Sequence, residues 1–432
     1  MTPSARLAAA IEVFGNIESE RRPAADALKS WGLAHRFAGS GDRAAIAGLV
    51  YDALRRRASS AHVMGADTPR AILIGMLKRE RALDTGTIAK LADGSQYGPA
   101  ALSDDERRRL DAADMTGAPA HVAGDYPEWL EPHFTRAFGD ARAEEGAALS
   151  SRAPLDLRVN TLKAERGKAA AALSDLKPEP ARWSPWGLRV RLSADAKSPA
   201  LHAEPAFLKG MVELQDEGSQ LAALFSGAKA GEQVVDLCAG AGGKTLALAA
   251  MMENKGQIFA TDDDKRRLAP IHDRLKRSGA RNVQVRTPKS VGGEIADLSG
   301  RCDVVLIDAP CTGTGAWRRN PDAKWRMRPG ALEQRQKEQA DILDRAVPLL
   351  KAGGRIAYVT CSVLEDENAV QVRTFLARNP AFTIQPPAEV ANAQGERAFM
   401  FGKAARLSEE GILMTPRTTE TDGFFVAILR RA

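Results

Sequence analysis

Beyond Gly231 the chain alternates short, β-branched apolar runs with longer stretches of helical periodicity. Residues 234–237, 258–261, 283–286, 304–307 and 356–360 are apolar on both faces instead of alternating with polar positions, as expected of parallel strands covered by crossover helices. The pattern predicts a doubly wound, Rossmann-like α/β sheet, with 411–415 and 424–429 as an added pair of strands. The N-terminal part has a different rhythm. Leu7, Ile11 and Phe14 recur at helical spacing, and Ile46, Leu49, Val50 and Leu54 form one face of a second helix with Asp42 as a candidate cap. A third helical segment, 69–83, mixes Ile72, Ile74 and Leu77 with Lys78, Arg79 and Arg81. A Gly/Ala-rich stretch at 116–124 marks a linker. Then come Tyr126-Pro127-Glu128-Trp129-Leu130, a helix through Phe138, and strand-like pieces at 155–160, 187–192 and 211–214 with a helix near 168–176. Three domains follow: an all-helical one over 1–115, a small α+β module over 125–220, and an α/β catalytic domain over 221–432.

A length of 432 residues agrees with two or three cores. No run approaches the roughly 18 apolar residues of a membrane span. The first stretch carries Glu12 among its apolar residues and reads as an amphipathic helix, not a signal peptide, so a cytoplasmic location is expected. The net charge of +6 suits a polyanionic partner, since Lys and Arg release counterions from phosphates. Four cysteines (Cys238, Cys302, Cys311, Cys361) form no CxxC pair and lie at no ligand spacing from a histidine. No metal site and no disulfide framework are therefore expected, which leaves thiols that are either core residues or nucleophiles.

The first strand of the α/β region runs into Asp236-Leu237-Cys238-Ala239-Gly240-Ala241-Gly242-Gly243-Lys244-Thr245, followed by a helix. Glycines there let the backbone turn tightly and approach a ligand at the helix N-terminus. Asp262, at the end of the next strand, is placed to accept from ribose hydroxyls. The spacing fits neither a Walker phosphate loop nor GxGxxG, so a nucleoside cofactor of another kind is indicated.

Two further strands end in Asp308-Ala309-Pro310-Cys311 and Thr360-Cys361-Ser362. Both thiols are thus expected at the carboxyl ends of adjacent strands, where open α/β sheets place their sites. Cytosine methylation explains the need for such residues. Carbon 5 of cytosine is a poor nucleophile until a thiolate adds to carbon 6 and makes the ring an enamine. A carboxyl group at ring nitrogen 3 stabilises that adduct.

The Asp308-Ala309-Pro310-Cys311 and Thr360-Cys361-Ser362 pair resembles the Sun/Fmu family of RNA cytosine-5 methyltransferases, RsmB type. Arg158-Val159-Asn160-Thr161, Gln215 to Gln220, Asp42 to Arg57 and Asp422-Gly423-Phe424-Phe425 extend the resemblance over most of the chain. It implies S-adenosylmethionine as cofactor, RNA (16S ribosomal RNA, as a single-stranded or flipped cytosine) as substrate, a NusB-like N-terminal domain and a monomer. It also implies Cys361 as nucleophile and Cys311 as the group aiding product release. Asp308 would contact the cytosine edge and the cofactor. Cys238, Ala239, Gly240, Ala241, Gly242, Gly243 and Lys244 would line the methionine and ribose, Asp262 would hold the ribose, and Lys244 would stand between cofactor and base. The chain departs from the family at Ala241, where Pro is usual. It departs again at Arg286-Thr287-Pro288-Lys289, where an acid near the adenine is usual and where Asp263 or a backbone group is the alternative.

Trp317 to Arg328 holds five basic residues and two tryptophans, a composition expected of an RNA surface, the alternative being a loop with both tryptophans docked in a core. The basic helix ends at Arg55-Arg56-Arg57 and Lys78 to Arg81 are read either as phosphate contacts or as solvated faces. Rival functions are a non-catalytic RNA-binding or ribosome-assembly factor, a transfer-RNA cytosine-5 enzyme, and an amine methyltransferase. The last commonly carries Asn-Pro-Pro-aromatic where this chain has Asp-Ala-Pro-Cys.

Overall fold

A computed structural model describes residues 1–192, 199–288 and 293–432. Packing divides the chain into two compact units.

The first unit comprises Met1–Arg152 and Trp317–Arg328 and is helical. Its opening helix, Pro3–Glu20, starts where Thr2 accepts from the Ala5 amide at 3.1 Å, and it buries Leu7, Val13, Phe14 and Ile17. Ser40–Arg55 buries Ile46, Val50 and Leu54. Asp42 stands inside that helix, not before it, and accepts from the Gly39 amide at 3.3 Å. Pro69–Arg79 buries every residue from Ala71 to Leu77, so it is the central helix and not an amphipathic one. Helices Glu131–Phe138 and Arg142–Leu149 also belong to this unit, although the sequence pattern grouped them with the α+β module.

The arginines at 55–57 are neither free nor merely solvated. Arg55 pairs with Asp52 at 3.2 Å, Arg56 with Glu80 at 2.6 Å, and Arg57 with Glu18 at 2.7 Å. Those partners come from three different segments, so the basic run ties the helices of this unit together.

The second unit contains two sheets. The smaller is antiparallel in the order Glu179–Pro180, Gly187–Val190, Leu155–Val159, Val212–Leu214. The larger holds β1 (Gln233–Asp236), β2 (Gln257–Ala260), β3 (Val283–Val285), β4 (Cys302–Asp308), β5 (Leu350–Thr360), β6 (Phe382–Ile384), β7 (Arg406–Leu407), β8 (Ile412–Met414) and β9 (Phe424–Arg431). Their order is β7-β8-β9-β5-β4-β1-β2-β3, with β6 also paired to β9. Strands β3-β2-β1-β4-β5 are parallel, and β9 joins β5 antiparallel. Val234, Val235, Val304 to Ile307 and Ile356 to Val359 are buried, as a sheet covered on both faces requires. The strand order reverses direction beside β1, so a crevice opens at the carboxyl ends of β1 and β4.

Candidate active site

The site is built on the carboxyl ends of β1, β2, β4 and β5. After β1 the chain turns through Gly240 (φ 49°) and Gly242 (φ 85°) into the helix Gly243–Met251. Gly242 is required twice over, because a Cβ there would also lie 2.5 Å from Ile271 Cγ1. At Gly243 a Cβ would meet nothing within 4 Å, so the helix N-terminus opens onto free space. Asp262, buried just beyond β2, accepts from the Gly240 amide at 2.9 Å and the Asp264 amide at 3.0 Å. It therefore fixes the glycine turn. Lys244 is buried and donates to Asp308 Oδ2 at 2.7 Å, with its Nζ 5.0 Å from the Phe424 ring centre.

Asp236 is fully buried, and Thr245 Oγ1 donates to its Oδ2 at 2.7 Å. Its Oδ1 has no hydrogen-bond partner among the described residues. Burial pushes its pKa up to about 7. A carboxyl whose folded pKa is raised binds more protons folded than unfolded, so its contribution to stability falls as pH climbs from about 4 to about 7. Melting temperatures of Asp236→Asn and wild type are expected to diverge over that range, with the variant gaining relative stability as pH rises. A constant gap would contradict this.

The two cysteines meet because β4 and β5 are parallel neighbours with Asp308 opposite Val359. Both chains leave the sheet on one edge, and Cys311 Sγ lies 3.3 Å from Cys361 Sγ. A backbone clasp holds the two tips. Gly315 N–H donates to the Cys361 carbonyl at 2.9 Å, and Gly423 N–H donates to the Gly315 carbonyl at 2.9 Å. A Cβ on Gly315 would run into the Gly423 carbonyl. Gly315→Ala is expected to cost about 1–3 kcal/mol of stability through this overlap, and to remove most activity. A folded, fully active variant would refute the clasp.

Cys302 lies at the far end of β4, buried, with its pKa pushed up to about 11 by lost hydration. The Cys238 thiol is likewise pushed well up, first by burial and then by the neighbouring Asp236 and Asp308. At the third strand Arg286 pairs with Asp297 at 3.0 Å, and Asp263 is engaged by Arg345 at 2.8 Å. Lys289 lies outside the described residues.

Residues 224–430 match the family model described as 16S rRNA methyltransferase RsmB/F. Residues 224–430 belong to the RsmB/F methyltransferase family. It is 33% identical over 306 residues to ribosomal RNA small subunit methyltransferase B of Citrobacter koseri, a match covering 70% of this chain and 66% of that relative. The chain thus spans just under two thirds of that relative's length. A methyltransferase homolog from Pyrococcus horikoshii superposes with a TM-score of 0.59 at 27% identity, covering 74% of this chain and 100% of that one. The crystal structure of PH0851 superposes over 100% of this chain and 99% of its own with a TM-score of 0.72; at 24% identity this shows the shared fold.

One expectation is corrected. The segment Trp317 to Arg328 of this RsmB/F member is not an open RNA surface. Trp317 is 1% exposed and stacks on Phe134 at 5.9 Å between ring centres. Lys324 is fully buried, and Trp325 Nε1 donates to the Leu54 carbonyl at 2.7 Å. Arg326 pairs with Asp322 at 3.1 Å. The same basic and aromatic groups that suit RNA find carbonyls, rings and carboxylates within the helical unit.

Sequence reasoning passed over Glu367 and Asn368, both buried beside the cysteine tips. Their only signal was a polar pair in the loop after Cys361, which is not specific by itself.

Proposed function

We propose that this chain transfers a methyl group from S-adenosylmethionine to carbon 5 of a cytosine in small-subunit ribosomal RNA, through a covalent Cys361–cytosine adduct. The observation that carries the reading is the 3.3 Å approach of Cys311 and Cys361 at the edge that also holds Lys244 and Asp308. Two thiols on neighbouring strand tips are an arrangement for nucleophilic catalysis, not for packing.

The cofactor fits what the residues offer. The glycine turn and the open helix N-terminus present N–H donors to a carboxylate, and Asp262 stands beside them as an acceptor for ribose hydroxyls. When bound, S-adenosylmethionine supplies an electrophilic methyl group. Asp262 is assigned to the ribose, and Cys238 to Lys244 to the remainder of that ligand.

The chain's own residues then do the following. Cys361 adds to carbon 6 of the cytosine, and the electron pair moves into the ring. A proton delivered to ring nitrogen 3 through the Lys244–Asp308 pair neutralises that charge. After carbon 5 has taken the methyl group, its proton passes to the Cys311 thiolate. The carbon 6–sulfur bond then breaks, returning its electrons to Cys361. Contact with Cys361, burial and the Glu367 charge push the Cys311 pKa well up, so its thiolate, once formed, is a strong base. Cys311 is accordingly the group assigned to release. The target cytosine must be unpaired or flipped to reach these thiols.

Bisulfite sequencing of RNA from a deletion strain tests the substrate. One small-subunit ribosomal cytosine is expected to lose protection in the mutant and regain it on complementation. Loss confined to transfer RNA would move the substrate there, and no change at any cytosine would reject the reading.

A further inference from the structure

Neighbouring residues Glu367 and Asn368 each grip one cysteine tip. Glu367 Oε1 accepts from the Thr312 amide at 2.8 Å, and its Oε2 accepts from Thr312 Oγ1. Gln339 Nε2 donates both to Glu367 Oε1 at 3.0 Å and to the Pro310 carbonyl at 2.9 Å. The residues on either side of Cys311 are therefore tied to one buried carboxylate–amide pair. Asn368 does the same for Cys361. Its Oδ1 accepts from Thr360 Oγ1 at 2.5 Å, and its Nδ2 donates to the Ser362 carbonyl at 2.9 Å. Tyr358, on β5, donates its hydroxyl to the Glu367 carbonyl at 2.7 Å, which fixes the dipeptide to the strand that leads to Cys361.

We infer that Glu367 and Asn368 are positioning residues that jointly set the separation of the two thiols. They hold residues 312, 360 and 362 directly and residue 310 through Gln339, so neither sulfur can shift without breaking bonds to its own holder, and the two holders are adjacent in the chain. Polar groups with buried partners are costly to release, which makes such a frame stiff. The Glu367 carboxylate adds a second effect, since its charge helps to keep the proton on Cys311. The inference rests on the roles proposed for the cysteines only in its consequence for rate; the spacing itself does not depend on them.

The test reads spacing without RNA or cofactor. Dibromobimane becomes fluorescent when it bridges two nearby thiols, and Cys311→Ala and Cys361→Ala provide backgrounds that lack one thiol of the pair. Bridging is expected in wild type and to be strongly reduced in Glu367→Ala and Asn368→Ala. Glu367→Gln, which keeps the shape and most of the hydrogen bonds, is expected to restore it. In turnover, Asn368→Ala is expected to lower kcat by about 100-fold with little change in the KM for RNA, as an ångström-scale misplacement would. Glu367→Gln is expected to move the pH profile of product release to lower pH, because Cys311 loses its negative neighbour. Thr360→Val and Thr312→Val each remove one bond to the Glu367–Asn368 pair and serve if the alanine variants do not fold; each is expected to bridge more slowly than wild type. Wild-type bridging in folded Glu367→Ala and Asn368→Ala, or in both valine variants, would overturn the inference. Reduced bridging together with an active Cys361→Ala would leave the frame standing and reject the assigned nucleophile.

Discussion

Cys361→Ala is expected to abolish methyl transfer and to form no covalent complex with RNA, whereas Cys311→Ala is expected to accumulate one that survives a denaturing gel. The asymmetry follows from the proposed roles. Without the Cys361 sulfur, no bond forms to carbon 6 and carbon 5 stays inert. Without Cys311, addition and methyl transfer proceed, but the proton on carbon 5 has lost its nearest acceptor and the adduct persists. The 3.3 Å contact makes both sulfurs parts of one centre, so a shared structural role would give two variants with the same phenotype. Loss of a nucleophile removes essentially all chemistry, and loss of a release group slows a later step, an effect of about 100- to 10000-fold by comparison with general acid–base groups. Gel-shift and single-turnover assays separate the two. Identical behaviour of both variants would reject the assignment.

A second large effect is expected far from any chemistry. Lys324→Met should destabilise the helical unit by about 3 kcal/mol. The Lys324 ammonium is buried and donates to the Arg55 carbonyl at 3.1 Å, the Asp125 carbonyl at 2.6 Å and Ser150 Oγ at 2.7 Å. Three N–H groups thus meet three acceptors, and methionine removes all three bonds, leaving between Ser150 Oγ and the Asp125 carbonyl only a 3.4 Å bond in that place. Burial pulls the Lys324 pKa down to about 7, against the opposing pull of Asp125. A lysine with a lowered folded pKa holds fewer protons folded than unfolded above that value, so wild-type stability rises with pH from about 7 toward about 10. The methionine variant lacks that rise. The gap in melting temperature between the two is therefore expected to widen from about pH 7 to about pH 9. A gap that narrows over this range would contradict the account.

Much of the catalytic architecture could be read from residue order. Strands whose apolar residues face both ways, such as Val304 to Ile307, have few other homes than a covered parallel sheet, and the cysteines follow two of them at fixed offsets. That β4 and β5 are adjacent then brings the thiols together. Local pattern fails where residues pair at long range. The start of β5 was not visible because Lys351, Ala352 and Gly353 are exposed and none is β-branched or aromatic. The segment from Trp317 to Arg328 has the composition of an RNA surface, yet arginine, lysine and tryptophan satisfy protein carbonyls and carboxylates by the same geometry that satisfies phosphate. Only the fold reveals which partner is present. Arg55 to Arg57, which the sequence leaves open between phosphate contacts and solvated faces, pair with carboxylates by the same geometry. Glu367 and Asn368 are ordinary polar residues until β5 and the Cys311 loop are folded around them.

The covalent step is tested most directly with RNA carrying 5-fluorocytidine, from which the ring substituent at carbon 5 cannot leave as a proton. Incubation with the protein and S-adenosylmethionine, followed by protease digestion and mass spectrometry, identifies the sulfur that holds the base. The nucleotide and one methyl group are expected on the peptide containing Cys361. Attachment to Cys311, or no adduct under conditions in which unmodified RNA is methylated, would contradict the mechanism.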